Sequence, residues 1–436
     1  MNLVLEELQK IFRYESVVKL VAKALAENDN SKQQIYLGGG WEVLSILPFS
    51  EVTADNTAKR PNFKAKVNLS WLTVDGKFEP APHSQLILYP DYPEIRLSGF
   101  LRGCSAAPSL NMRPVPKENR GEKNAWDGRV LFFGITSDRK ILSYLSLPKS
   151  RISLEFDVLR NLHSTTKQGV FYDIPLGIAL DTKQSLISAL GEIKHKKWVT
   201  SVRMNSAGEV IPYQARNGGG YTLEALLGIK PNSVSGPDYL GWEVKAFAGD
   251  KVTLMTPEPD SGYYGENGTE AFLRKYGYLR DDDTIYFTGV HKLNEKQKKT
   301  GQTLVLTGFD TQTRKIINID GGISMIDDAG NNAATWTYRD LITHWGRKHA
   351  NAVYVPYEMR IESEIAYQYL TPALLGVGTD FSKFLNALHL GAVNYDPAPK
   401  LTNASGNSSK VKARSQFRVS VKNLSTLYNS FTKEEF

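Results

Sequence analysis

The sequence predicts a mixed α/β (α+β) protein of two domains, and three observations carry that expectation. Its 436 residues exceed the roughly 100–200 of one typical domain. The hydropathy period changes along the chain, from helical spacing over 3–28, to short β-rich runs over 34–147, to alternating helix-like and strand-like segments beyond 175. The composition, 41% hydrophobic and 23% charged, is that of a globular chain and excludes collagen-like, coiled-coil and mostly disordered proteins. A single cysteine, Cys104, rules out an intrachain disulfide and a thiolate zinc cage. No run approaches the ~20 apolar residues of a membrane span, and no basic-then-apolar leader opens the chain. The expectation is a soluble, cytoplasmic protein in a reducing compartment, with no membrane partner.

Taken in order, Leu5, Leu8, Ile11, Phe12, Val18, Val21 and Leu25 recur at three- and four-residue intervals broken near 14–16, which predicts two short amphipathic helices. Strands are expected at 35–37, 41–46, 67–72, 85–89, 94–100, 130–135 and 141–145, with turns at Asp75-Gly76 and Ser137-Asp138. They form a β-rich domain, a twisted sheet or small barrel. The segment 102–127 holds Pro108, Pro114, Pro116 and Gly121 and has no period; a loop that long is more often functional or mobile than idle. A helix over 150–162 and the polar run 163–169 mark a junction between a first domain, 1–160, and a second, 170–436. In the second, helices are expected at about 181–193, 221–228, 267–276, 337–349 and 371–388. Strands are expected at about 241–248, 251–256, 284–290, 302–309, 314–319 and 351–357, so that a mixed sheet is flanked by helices.

The charge balance, 53 basic against 46 acidic residues, leaves +7. Six of the basic residues lie in 410–436 against Glu434 and Glu435, so that segment alone contributes +4. A polyanion partner fits this surplus without being required by it.

The chemistry concentrates in Gly236-Pro237-Asp238-Tyr239-Leu240-Gly241-Trp242-Glu243-Val244-Lys245. Strand side chains alternate faces, so Glu243 and Lys245 share one side while Trp242, Val244 and Ala246 take the other. A turn at Gly241 can bring Asp238 over the side of Glu243. Two converging carboxylates need a cation between them, and carboxylate oxygens suit Mg²⁺. Such a cation polarises a phosphoryl oxygen and activates water, while Lys245 orients that water and offsets transition-state charge.

Around this core, Asn217-Gly218-Gly219-Gly220-Tyr221-Thr222-Leu223-Glu224-Ala225-Leu226-Leu227-Gly228-Ile229 and the Pro237-Asp238 and Gly241–Lys245 run resemble the MvaI/BcnI family of restriction endonucleases, relatives of the mismatch-repair nickase MutH. The resemblance continues through 253–260, Lys275-Tyr276-Gly277-Tyr278, His344-Trp345 with Lys348-His349, Asn394-Tyr395-Asp396-Pro397 and Arg414-Ser415-Gln416-Phe417-Arg418, covering about 175–430. It implies a PD-(D/E)xK nuclease core, a mixed sheet flanked by helices, that cuts double-stranded DNA with Mg²⁺, for which Mn²⁺ can substitute. It makes Asp238 and Glu243 metal ligands, with Val244 in the metal set, and Lys245 the water-positioning group. Glu224 takes the place of the acid on the preceding helix. Glu258 and Asp260 either extend the acidic site or form an ordinary acidic turn.

For DNA contact, the helix over 337–350 carries Tyr338, Leu341, Ile342, Trp345 and His349 on one stripe and Arg339, Thr343, Arg347 and Lys348 on the other, with His344 at the boundary. Arg414, Gln416 and Arg418 alternate along a strand-like run and share a face, and Arg and Gln read guanine and adenine edges. Arg203 and Arg216 flank the site in sequence and suit phosphates. The first domain is expected to recognise DNA through its aromatic and basic residues. The whole reads as a type II restriction enzyme acting as a monomer or weak dimer. The rivals are a MutH-like repair nickase and a DNA-binding protein with an inactive nuclease core.

Overall fold

The computed structural model describes the whole chain apart from residues 1–2, 123–124, 162–164, 177–181, 231–237, 281, 350 and 407 and the side chains at 42, 347 and 348. The fold is mixed α/β, and the chain divides into two compact units, Met1–Asp181 and Thr182–Phe436.

In the first unit, the helix Leu5–Tyr14 buries Leu5, Leu8 and Phe12 against a seven-stranded sheet. The second helix expected before residue 28 is instead a strand, Val17–Ala26, in the middle of that sheet. It pairs antiparallel with Trp126–Thr136 on one side and Phe171–Asp173 on the other. The β-branched Val17, Val18 and Val21 favour this pleated setting. An apolar run buried on both faces has no clean alternation to distinguish it from a helix. The strand expected at 41–46 is a 3₁₀ turn, Trp41–Ser45, entered from Gly39-Gly40.

A five-stranded antiparallel sheet completes the unit and includes Val52–Asp55 and Asn62–Lys66, which the sequence pattern did not mark. The strands Lys167–Gln168 and Phe171–Asp173 belong to the first sheet, so this unit continues past residue 160. The long loop has only the 3₁₀ turn Lys117–Asn119, yet it is pinned from beneath. The buried Arg129 guanidinium pairs with Asp127 and donates through Nη1 to the carbonyls of Asn111 (2.9 Å) and Arg113 (3.0 Å).

The second unit is organised on the strand Asn351–Ile361. Glu243–Phe247 runs parallel to it, with Glu243 opposite Ala352 and Lys245 opposite Tyr354. Ala373–Val377 runs antiparallel to it and leads to Ser430–Glu434, while its far half pairs with Ile365–Tyr369. The helices Thr182–His195 and Gly219–Leu226 contribute Leu186, Leu190, Ile193 and Leu223 to a core with Trp242, Val244, Val353 and Val355. The helix expected over 371–388 starts only at Phe381, where Asp380 accepts from the Ser382 amide at 2.7 Å. Residues 373–377 are a strand because they pair on both edges.

Candidate active site

The spacing of the acids is explained by a two-residue hairpin. Tyr239 and Trp242 exchange both backbone hydrogen bonds, at 2.9 and 2.8 Å, and the residues between them, Leu240 (φ 48°) and Gly241 (φ 87°), both have positive φ. Positive φ at both central positions is the signature of a type I′ turn, whose twist suits a right-twisted ribbon. The turn folds the chain back so that Asp238, just before it, comes near the start of the strand at Glu243. The Asp238 carboxylate closes the arrangement by accepting from the Val244 amide at 3.0 Å. The Val244 carbonyl points to the same edge as its amide, as both groups of one strand residue do. Trp242 and Val244 meanwhile lie in the core.

On the other face, Lys245 Nζ lies 3.1 Å from Glu243 Oε1. The carboxylate is almost wholly buried and the lysine largely so. Tyr354, opposite Lys245 in the parallel register, exchanges a 2.7 Å hydrogen bond with the hydroxyl of Tyr428. Burial pushes both phenols well above their ordinary range, and the Glu243 charge pushes them the same way, so both remain protonated beside the carboxylate. His349 is fully buried, with Nε2 3.1 Å from the Leu254 carbonyl and its ring stacked 4.2 Å from Trp345. Burial, reinforced by the Lys245 charge, lowers its pKa to about 4 and leaves it neutral near neutral pH. It tethers the end of the helix Tyr338–Lys348 to the strand Lys251–Met255. Neither tyrosine was found from sequence, because only the strand register brings them to Glu243.

Glu224 lies half-buried on the helix Gly219–Leu226, which packs on the core beside Glu243–Phe247. Its charge acts on Tyr369, whose hydroxyl donates to the Gly219 carbonyl at 2.7 Å. Among the described residues no three His, Cys, Asp or Glu side chains gather closely enough to cage a metal, so Glu224 does not complete a three-acid cluster with Asp238 and Glu243. The donor set of two carboxylates and a main-chain carbonyl still fits Mg²⁺, which keeps several waters and takes one or two carboxylates. It does not fit a softer metal that requires thiolate or imidazole.

Glu258 and Asp260 serve the scaffold. Glu258 accepts from Tyr264 and from the Ser415 amide, while Asp260 accepts from the Thr337 amide at 2.8 Å and pairs with Arg339. The apolar stripe of the helix is buried as expected, at Tyr338, Leu341, Ile342, Trp345 and His349. His344 is exposed and pairs with Asp340 at 3.2 Å; the side chains of Arg347 and Lys348 fall outside the described residues, as do Gly236 and Pro237. Arg203 lies over the Tyr213 ring at 5.4 Å, and Arg216 is exposed.

Arg414 is exposed, whereas Gln416 is buried, accepting from Thr253 Oγ1 at 3.2 Å and donating to the Asp396 carbonyl at 3.3 Å. Arg418 pairs with Asp396 at 2.9 Å. Reading a base through Gln416 therefore requires those internal bonds to be exchanged.

Residues 187–428 match the model of the MvaI/BcnI restriction endonuclease family. Among solved structures, the chain is similar to the restriction endonuclease MvaI–cognate DNA substrate complex, 16% identical over 58% of this chain and 98% of that one, with a TM-score of 0.46. It is also similar to restriction endonuclease MvaI in the absence of DNA, 15% identical over 58% and 97%, with a TM-score of 0.32. No curated protein matches the chain.

Proposed function

Because the chain belongs to the MvaI/BcnI restriction endonuclease family, and hence to the DNA-cleaving nucleases, we propose that it is a Mg²⁺-dependent, site-specific type II deoxyribonuclease acting on double-stranded DNA. The observation that carries this reading is the hairpin that faces Asp238 to Glu243 with Lys245 on the same side of the strand.

Asp238, Glu243 and the Val244 carbonyl would hold the cation. When bound, Mg²⁺ supplies Lewis acidity to the scissile phosphate and lowers the pKa of water. Lys245 orients the attacking water for in-line displacement and offsets charge on the pentavalent phosphorus. Glu243 keeps the lysine in place through the 3.1 Å pair, and Trp242 and Val244, locked in the core, fix the strand that carries Glu243 and Lys245. Glu224 acts from the neighbouring helix as an auxiliary acid. Arg203, Arg216, His344, Arg347, Lys348, Arg414, Gln416 and Arg418 contact DNA, and the first unit recognises it.

Purified protein incubated with plasmid DNA and Mg²⁺ tests the reading. Linear product is expected from the wild type and no product from Glu243→Gln or Lys245→Met. Nicked product alone identifies a strand-nicking repair enzyme, and identical products from wild type and variants overturn the catalytic assignment.

A further inference from the structure

The strands around residues 393–402 and 410–419 form one long antiparallel ribbon. Val393 faces Val419, Tyr395 faces Phe417, Lys400 faces Lys412 and Thr402 faces Lys410. Between these pairs the Asp396 amide donates to the Gln416 carbonyl and the Ala398 amide to the Arg414 carbonyl, at 2.9 and 3.0 Å, so the register continues without a bulge. A ribbon without a bulge keeps each parity on one face. The odd-numbered face buries Tyr395, Pro397, Leu401, Ser415 and Phe417. The even-numbered face carries Lys400, Lys410, Lys412, Arg414 and Arg418, with one acid, Asp396, already paired to Arg418.

Of the ion pairs found among the described residues, none involves Lys400, Lys410, Lys412 or Arg414, and the last three are exposed. A folded protein gains nothing from ranking four cations without counter-charges; their mutual repulsion is a cost that an external polyanion removes. The face widens sideways in the same sense. Tyr286 lies opposite Lys400, Tyr278 opposite Tyr286, and Arg280 is stacked 4.5 Å over the Tyr286 ring.

We infer that this even-numbered face is a docking surface for the phosphate backbone of double-stranded DNA, with Lys400, Lys410 and Lys412 as phosphate contacts. The inference rests on the DNA-nuclease reading and names a surface for it. Alternate residues of a strand recur every ~6.6 Å, so Lys410, Lys412 and Arg414 form a regular row of cations along which a phosphodiester strand can run. A two-stranded ribbon also has the width that the major groove admits. The same ribbon runs directly into Phe417–Ser420, which pairs with Lys251–Met255, the strand that follows Glu243–Phe247 in the chain. Backbone contact at one end is thereby carried through main-chain hydrogen bonds toward the catalytic strand.

The test is equilibrium binding of the full chain to a fluorescein-labelled random-sequence duplex, in EDTA so that nothing is cut, over a series of salt concentrations. Wild type is expected to bind with a steep negative slope of log affinity against log salt. The combined Lys400→Gln, Lys410→Gln and Lys412→Gln variant should lose about 2.7 from that slope and roughly a hundredfold in affinity at low salt, while Lys→Arg at the same positions keeps both. Lys412→Gln alone should lose about 0.9, which preserves the test if the triple variant folds poorly. An unchanged slope in a folded triple variant overturns this inference while leaving the nuclease reading intact. Wild type that does not bind duplex at any salt concentration overturns both.

Discussion

Replacing Lys245 by Met removes the ammonium 3.1 Å from Glu243 Oε1 and keeps the aliphatic stem. The two side chains are 17% and 4% exposed, so the pair stands much closer to the buried than to the surface limit. A surface pair contributes about 0–1 kcal/mol, whereas removing one partner of a buried pair costs about 3–5 kcal/mol, because a charge stays behind in a poorly solvated place. Allowing for the partial exposure of Lys245, Lys245→Met should destabilise the second unit by about 2–3 kcal/mol. The double variant Glu243→Gln with Lys245→Met removes both charges at nearly constant shape, and should lie within about 1 kcal/mol of wild type. Urea unfolding of the wild type, both single variants and the double variant at neutral pH closes the cycle, with an interaction energy of at least about 1.5 kcal/mol expected. If the double variant is as unstable as the sum of the two singles, the carboxylate and ammonium are not coupled, and the electrostatic account of the site fails. All three variants should be unable to cut DNA, so stability and activity separate within one set of proteins.

Acid should loosen the second unit through its two fully buried histidines. Burial is the leading cause that lowers His291 and His349 from 6.5 to about 4. Between those values the unfolded chain holds the protons and the native state does not, so stability is full above about 6.5 and falls as the pH drops toward about 4, by about 2 kcal/mol per histidine at pH 5. A urea midpoint that is flat between pH 7 and 5 contradicts this. In the first unit, Arg129→Met should free the loop it pins by leaving the Asn111 and Arg113 carbonyls without their donor. Tryptic cleavage at Arg113, Lys117 or Arg120 should rise by about tenfold or more, and an unchanged digestion rate refutes the tether. Leu240, at φ 48°, carries a left-handed conformation that costs a branched residue about 1–2 kcal/mol. Leu240→Asn should therefore raise the urea midpoint by the equivalent of roughly 1 kcal/mol, and a fall would show that the turn is not of the I′ type.

The strand Glu243–Phe247 was legible in the sequence because its polar residues and its period agree. Glu243 and Lys245 alternate with Trp242 and Val244, and the folded chain keeps that division between the site and the core. The parity of Arg414, Gln416 and Arg418 was legible for the same reason, although no feature of the run marks Gln416 as sealed by Thr253 and Asp396. Two of the errors fall in largely apolar interior strands. Val17–Ala26 and Ala373–Val377 are interior strands flanked by partners on both edges, and such runs fit a helical template as well as a pleated one. The contributions of Tyr354 and Tyr428 could not be read at all, since they depend on strand pairings over long sequence separations. Glu258 and Asp260 look acidic on paper and act as joinery in the fold.

The tight reversal at Leu240-Gly241 makes the number of residues between the two acids matter more than their identity. Leu240 is open to replacement, since the backbone closes the turn. A single insertion or deletion between Asp238 and Glu243, however, would change the loop length and with it the pairing, carrying Asp238 to the opposite side of the ribbon. The strand would still be anchored by Val244 and its neighbours, and the protein would still fold. Such a change would separate folding from catalysis in one step, turning a cutting protein into one that only holds its substrate.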